Sequence, residues 1–251
     1  MGNAAILLAG GSGSRMRGTV EDKVLAPLSG LPVILHSLRA FCDSASVAEV
    51  VFVCRDPAQE VAIKASIEKY FPKFGLSIKF ARGGAERQDS VLNGLRVVSD
   101  KSGLAFIHDG ARPMVGAENI VRLAEAALRD GAAVLAARAV DTIKRLPKGK
   151  RTLSKCRLDD LERGRLWAMQ TPQVFRAADI LGAYEYVKKN CIKITDDVAA
   201  AALRGIRVSI VENFHPNPKI TVPDDIALAE YLMSRGSSES GRAKEQQKEQ
   251  K

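Results

Sequence analysis

The sequence predicts an α/β protein built on a doubly wound, mostly parallel sheet of Rossmann-like type, carrying a protruding β-arm. Two observations lead there. Through the first two thirds of the chain, short β-rich runs alternate with stretches whose apolar residues recur at helical spacing, as in successive βαβ units. The first of those runs, Ala4 to Leu8, leads directly into a loop of glycines, Gly10, Gly11 and Gly13, followed by a cation at Arg15. In open sheets of this kind ligands gather at the carboxyl ends of the strands, which is where that loop falls.

Taken in order, the strands are expected at Ala4 to Leu8, Glu49 to Val53, Ser77 to Ala81, Leu104 to His108 and Ala132 to Ala136. The helices between them are expected at Val33 to Cys42, Pro57 to Phe71, Glu86 to Val98 and Ala117 to Arg129. The alternation breaks after Arg138. Residues 140–165 are rich in Lys, Arg and Asp, and their Pro147-Lys148-Gly149-Lys150 centre reads as a hairpin turn. A connection of that length is too long for the inside of a compact domain, so it is either mobile or packs against something else such as a second subunit. Of the two, a protruding arm used in dimerisation is expected. The core resumes with Trp167 to Phe175, a helix from Ala177 to Lys188, a helix opening at Thr195 and Asp196, a strand at Val208 to Val211 and a last helix from Pro223 to Met233. This makes one domain of residues 1–233 and a polar tail of residues 234–251 expected to be disordered.

Composition narrows the function. A chain of 251 residues, 46% hydrophobic and 27% charged, can bury one sizeable core. It contains no run approaching the roughly 18 to 20 apolar residues that cross a bilayer, and no signal-peptide pattern, so no membrane partner and a cytoplasmic location are expected. Cys42, Cys54, Cys156 and Cys191 are irregularly spaced and form neither a CxxC pair nor a zinc-site interval. The net charge of +9 is spread along the chain and only 5% of residues are aromatic, which argues against nucleic acid and for a small phosphorylated ligand.

The glycine-rich loop fits that ligand. Without Cβ atoms its backbone can approach a phosphate and turn several N–H groups toward it. Met16 stands where a dinucleotide fingerprint beginning at Gly11 needs glycine, and the Gly-Lys-Ser/Thr ending of a P-loop is absent.

Leu8 to Met16 with Lys23 instead resembles the signature of sugar-phosphate nucleotidyltransferases. Later blocks are more specific. Gly84-Ala85-Glu86-Arg87-Gln88-Asp89-Ser90-Val91, His108-Asp109-Gly110-Ala111-Arg112-Pro113 and Asn217-Pro218-Lys219-Ile220-Thr221 closely resemble the 2-C-methyl-D-erythritol 4-phosphate cytidylyltransferase family of non-mevalonate isoprenoid biosynthesis, as do Asp141-Thr142, Thr171-Pro172-Gln173 and Ile194-Thr195-Asp196-Asp197. The likeness runs from about residue 4 to residue 233 in the family's order.

The resemblance implies CTP, a polyol phosphate and Mg2+ as ligands, and a homodimer formed through the arm. It implies that Arg15 and Lys23 contact the triphosphate and stabilise charge at the α-phosphorus, and that Ala9, Gly10, Gly11, Gly13, Gly84 and Ser90 line the nucleotide pocket. Asp109 would hold ribose hydroxyls or the metal, although Mg2+ would rest mainly on the CTP phosphates. Thr142, Arg163 and Lys219 would contact the polyol phosphate, with Arg112 either a phosphate contact or a structural cation. Three departures stand out: Asp22-Lys23-Val24 replaces the family's usual Pro-Lys-Gln, Ala85 replaces a frequent Asp, and Glu162-Arg163-Gly164-Arg165 stands where the family has Asp-Arg-x-Gly. Other readings are a ribitol 5-phosphate cytidylyltransferase, a UTP- or GTP-dependent sugar-phosphate transferase and a nucleotide-binding protein without catalysis.

Overall fold

The computed structural model describes residues 2–11, 22–149 and 154–235. Arg15 and Gly13, Lys150 of the expected turn, and the expected tail from residue 236 onward lie outside them.

A seven-stranded sheet forms the centre. In chain order its strands are β1 (Ala4–Leu8), β4 (Glu49–Cys54), β5 (Ser77–Arg82), β6 (Leu104–Asp109), β7 (Ala132–Arg138), β10 (Trp167–Arg176) and β11 (Ser209–Glu212). Across the sheet they run β5-β4-β1-β6-β10-β7-β11. β1, β4, β5 and β6 are mutually parallel, β11 is parallel to β7, and β10 runs against both of its neighbours. The Rossmann-like expectation holds.

Strand β1 shows why both faces must be covered. Ala5 and Leu7 join one apolar cluster and Ala4 and Ile6 the other, as the two-residue period of a strand requires. The first face is covered by α1 (Val33–Ser44), α2 (Pro57–Tyr70) and α4 (Ala117–Asp130), through residues such as Phe41, Ile63 and Leu123. The second is covered by α3 (Arg87–Val97), α5 (Ala177–Lys189) and α6 (Asp197–Ala202), through Val91, Ile180 and Ala200. Phe41 meets Phe106 of β6 edge to face, with ring centroids 5.9 Å apart. Helix starts follow local chemistry: Asp56 accepts from Gln59 N ahead of Pro57, Asp196 accepts from Ala199 N, and Glu86 and Asp89 form a capping box.

Two features place the functional cleft. The chain winds outward from β1 to β4 and β5, then returns to the other side of β1 at β6, so the carboxyl ends of β1 and β6 lie side by side at the switch in strand order. Strand β10 changes register against β7 between Met169 and Gln173, around the cis Thr171-Pro172 peptide. That irregularity turns Thr171 toward the end of β6, where its Oγ1 accepts from Asp109 N at 3.1 Å.

A small hairpin, β2 (Pro27–Leu28) and β3 (Leu31–Pro32), was not foreseen. Its turn residues Ser29 and Gly30 both have positive φ, and it pins the segment after Lys23 to the start of α1 through Ile34 N to Val24 O at 2.9 Å. The arm has a short ladder of its own, with β8 (Lys144–Arg145) antiparallel to β9 (Asp159–Asp160). The last helix, α7, continues through residues 224–235, so Ser234 and Arg235 are helical rather than part of the polar tail. Among the described residues no helix is long and apolar enough to cross a membrane.

Gly94 of α3 sets how closely that helix approaches the sheet. A Cβ there would lie 2.7 Å from Ile6 Cγ2 and 2.8 Å from Val53 Cγ2, both on rigid strands. Gly94→Val is expected to destabilise the protein by about 1–3 kcal/mol in urea denaturation, and an unchanged midpoint would show that α3 can lift away freely.

Candidate active site

A cleft of about 350 Å³ opens at the switch point. It is lined by Leu8 to Gly11 beyond β1, Lys23 and Val24, Gly84 to Arg87 with Ser90, Asp109 and Ala111 beyond β6, and Lys219 with Thr221. Five segments that are far apart in sequence thus converge at the position sequence reasoning assigned to the ligand.

Each wall has a local cause. Gly84 must be glycine, because a Cβ there would fall 2.2 Å from Asp89 Cβ. The turn folds onto the first turn of α3, where Ser90 Oγ accepts from Gly84 N at 3.0 Å. Lys23 projects across Gly11: a methyl on Gly11 would lie 3.9 Å from Lys23 Nζ. That ammonium also donates to Ile220 O at 3.3 Å, tying the loop beyond β1 to the segment that carries Lys219.

At the centre stands Asp109, only 9% exposed. Its Oδ2 accepts from Lys219 Nζ at 2.6 Å, its Oδ1 lies 3.4 Å from Arg87 Nε, and Arg112 Nε is 4.0 Å away. Burial alone would raise the carboxyl's pKa. The Arg87 guanidinium, then the Lys219 ammonium and Arg112, outweigh it and hold the group ionised well below the usual carboxylate range. Behind Asp109, Arg87 makes a bidentate pair with the fully buried Asp197, at 2.8 and 2.9 Å, and Tyr184 donates its hydroxyl to the same carboxylate. Arg112 donates to Asn217 O at 2.7 Å and so braces the segment leading to Lys219.

His108 precedes Asp109 but faces away from the cleft, fully buried. Its Nδ1 lies 3.1 Å from Thr171 Oγ1, and its Nε2 lies 3.1 Å from Arg112 O and 3.2 Å from Ser37 Oγ. Burial pushes its pKa down to about 4, so it is a neutral packing element rather than an acid–base group.

The structure therefore brings Ala9, Gly10, Gly11, Lys23, Gly84, Ser90, Asp109 and Lys219 together. Arg112 sits just behind the wall as a structural cation of the Asp109 loop. Thr142 and Arg163 do not line this cleft. Residues 140–149 are all exposed, and Arg163, in a single 3₁₀ turn, donates to Val140 O at 3.2 Å at the base of the arm. Arg87 and Asp197 were not singled out, although both lie in sequence blocks that carried the resemblance. Their pairing across 110 residues leaves no local pattern to read.

Among the described residues no group of three His, Cys, Asp or Glu is arranged to hold a metal. Asp109, held ionised by its cations, is a carboxylate that lines the cleft.

Removing Asp197 would strand Arg87 against a buried wall. Asp197→Ala is expected to cost about 3–5 kcal/mol of folding stability, measured by chemical denaturation. A loss below about 1 kcal/mol would mean that the pair is screened like a surface ion pair.

Comparisons with known proteins agree with this architecture. Residues 3–235 match the family profile of 2-C-methyl-D-erythritol 4-phosphate cytidylyltransferase. The chloroplastic 2-C-methyl-D-erythritol 4-phosphate cytidylyltransferase of Oryza sativa subsp. japonica is 41% identical over 92% of this chain and 74% of its own. The enzyme of that name from Bacillus velezensis is 37% identical over 92% of this chain and 96% of its own. Among solved structures, the 4-diphosphocytidyl-2C-methyl-D-erythritol synthase of Anaerococcus prevotii superposes with a TM-score of 0.78 at 25% identity, covering 92% of this chain and 98% of that one. The cytidylyltransferase of Thermus thermophilus gives 0.69 at 30% identity, covering 91% and 97%. With the profile spanning nearly the whole chain around the cleft described above, the chain belongs to the 2-C-methyl-D-erythritol 4-phosphate cytidylyltransferase family.

Proposed function

We propose that the cleft performs the family's reaction through the residues gathered at its walls. A phosphate oxygen of 2-C-methyl-D-erythritol 4-phosphate attacks the α-phosphorus of CTP, the bond to the β-phosphate breaks, and pyrophosphate leaves with the electron pair. The product, 4-diphosphocytidyl-2-C-methyl-D-erythritol, serves isoprenoid precursor biosynthesis. The observation that carries this reading is the convergence of Lys23, Asp109 and Lys219 beside the glycine-rich backbone at the switch point.

The triphosphate lies along Gly10 and Gly11, with Lys23 at the cleft wall to meet the charge that develops at the α-phosphorus; by the family likeness Arg15, outside the described residues, shares that role. Fixed cations aimed at such charge supply the largest catalytic term in reactions of this type. Cytosine occupies the pocket at Gly84 and Ser90, where carbonyl acceptors would favour its amino donor over the carbonyl of uracil. Asp109 holds the ribose hydroxyls or a Mg2+ ion carried by the phosphates. When bound, that ion would neutralise the triphosphate and orient the leaving pyrophosphate.

The nucleophile needs no base. A phosphate monoester is mostly dianionic at neutral pH, and His108, next to Asp109, is neutral and turned away from the cleft. Lys219 binds the acceptor phosphate and sets the line of attack; to do so it exchanges part of its contact with Asp109.

Thr142 and Arg163 complete the acceptor site from the arm of a second copy of this chain. The arm's exposed apolar side chains support that assembly: Val140 is 84% exposed and Leu158 46%, and a second copy would cover them. A homodimer formed through the arm and working in the cytoplasm is part of this reading.

A panel of CTP, UTP and GTP against methylerythritol phosphate and ribitol 5-phosphate, read by pyrophosphate release, tests the reading. Fastest turnover is expected with CTP and methylerythritol phosphate, and a preference for ribitol 5-phosphate would overturn the acceptor assignment. With the preferred pair, Arg15→Ala and Lys219→Ala are each expected to cut turnover by about 100-fold or more.

A further inference from the structure

We propose that Gln59, on the first turn of α2 and outside the cleft, is a positioning residue for Lys23, acting through Asp22. This rests on the reading that Lys23 meets the triphosphate.

Gln59 is 2% exposed, and both N–H donors and the carbonyl oxygen of its amide are engaged. Nε2 donates to Ala9 O at 3.2 Å and to Asp22 Oδ2 at 2.6 Å, and Oε1 accepts from Arg55 N at 2.7 Å. One buried amide thus joins the chain leaving β1 to the chain arriving at Lys23. Asp22 carries the constraint onward. Its Oδ1 accepts from Val24 N at 3.1 Å and its carbonyl from Leu25 N at 3.1 Å, a turn with Lys23 at its crest. Arg55 adds a longer contact to Asp22 Oδ2 at 3.4 Å.

The effect is to fix the spacing between the glycine backbone and the lysine. Gln59 holds Ala9, two residues before Gly11, and Asp22, one residue before Lys23. Lys is a flexible point charge on a four-carbon stem, so its aim depends on how firmly its backbone is held. A misplacement of about 1 Å by a residue far from the chemistry can cost up to about 100-fold in rate.

Ordinary packing would be met by any side chain of similar size, whereas the clamp requires two donors. Gln59→Glu keeps the shape, removes both donors and sets a carboxylate against Asp22. The measurement is steady-state kinetics on Gln59→Glu, Lys23→Ala and the double variant. Gln59→Glu is expected to lower kcat/KM for CTP by about 10- to 100-fold with KM for the acceptor within about twofold of wild type. The double variant is expected to be no slower than Lys23→Ala, because both changes act on the same ammonium. Adding Asp22→Asn to Gln59→Glu restores a side-chain hydrogen bond with its direction reversed and is expected to recover part of the loss. If Gln59→Glu does not fold, Asp22→Asn alone is expected to show the same non-additivity with Lys23→Ala. Full activity in the Gln59 variant, or losses that multiply with Lys23→Ala, would overturn the clamp while leaving Lys23 in place. An inert Lys23→Ala would instead remove the role of Lys23 and the clamp with it.

Discussion

The site depends on one buried carboxylate surrounded by cations. Asp109 is nearly inaccessible to water, and such a position would by itself favour the neutral acid. Arg87, Lys219 and Arg112 reverse that preference, and in doing so each is held in place. Arg87 comes from the start of α3, Arg112 from the loop after β6 and Lys219 from a segment more than 100 residues further on, so the ion cluster is also the joint where three parts of the chain meet. Its members answer to more than one partner. Arg87 is anchored by Asp197 and Arg112 by the backbone of Asn217, which leaves Lys219 as the cation with the most freedom to turn toward a ligand.

The fold brings that cluster to the glycine-rich backbone. Because β1 and β6 are adjacent, Leu8 stands opposite Asp109, and whatever lies beyond β1 shares a cleft with whatever lies beyond β6. The antiparallel β10 contributes from the side. Its register change sets Thr171 against the amide of Asp109 and the ring of His108, locking the backbone from which the carboxylate projects. A buried histidine beside an active carboxylate invites a catalytic role, but here its two nitrogens serve packing and the reaction draws its nucleophile from the substrate's own charge.

Much of this was legible in the sequence. Periodicity located the central strands and the helices that cover them, because each depends on local spacing: Ala4, Ile6 and their alternate neighbours, or the apolar rows of α1 and α4. The cleft walls at Gly10, Gly11, Lys23 and Gly84 were legible through motifs in which glycines and a lysine sit at characteristic offsets. What was hidden depended on distant pairing. Nothing near Arg87 announces Asp197, and nothing near Gln59 announces Asp22, since a buried polar residue becomes intelligible only with its partner. The Ser29-Gly30 hairpin was short enough to escape any period. Thr142 and Arg163 were read from family likeness, and in the chain described they stand on the arm away from the cleft.

The most direct measurement is the carboxyl titration of Asp109, followed by carbon-13 NMR on the folded protein and assigned by its absence in Asp109→Asn. The cation cluster predicts that this carboxyl remains ionised as pH falls through the range where ordinary aspartates take up a proton. A midpoint near the unperturbed value of about 3.9, or above it, would mean that Arg87, Lys219 and Arg112 do not govern the group, and that the site is held together by something else.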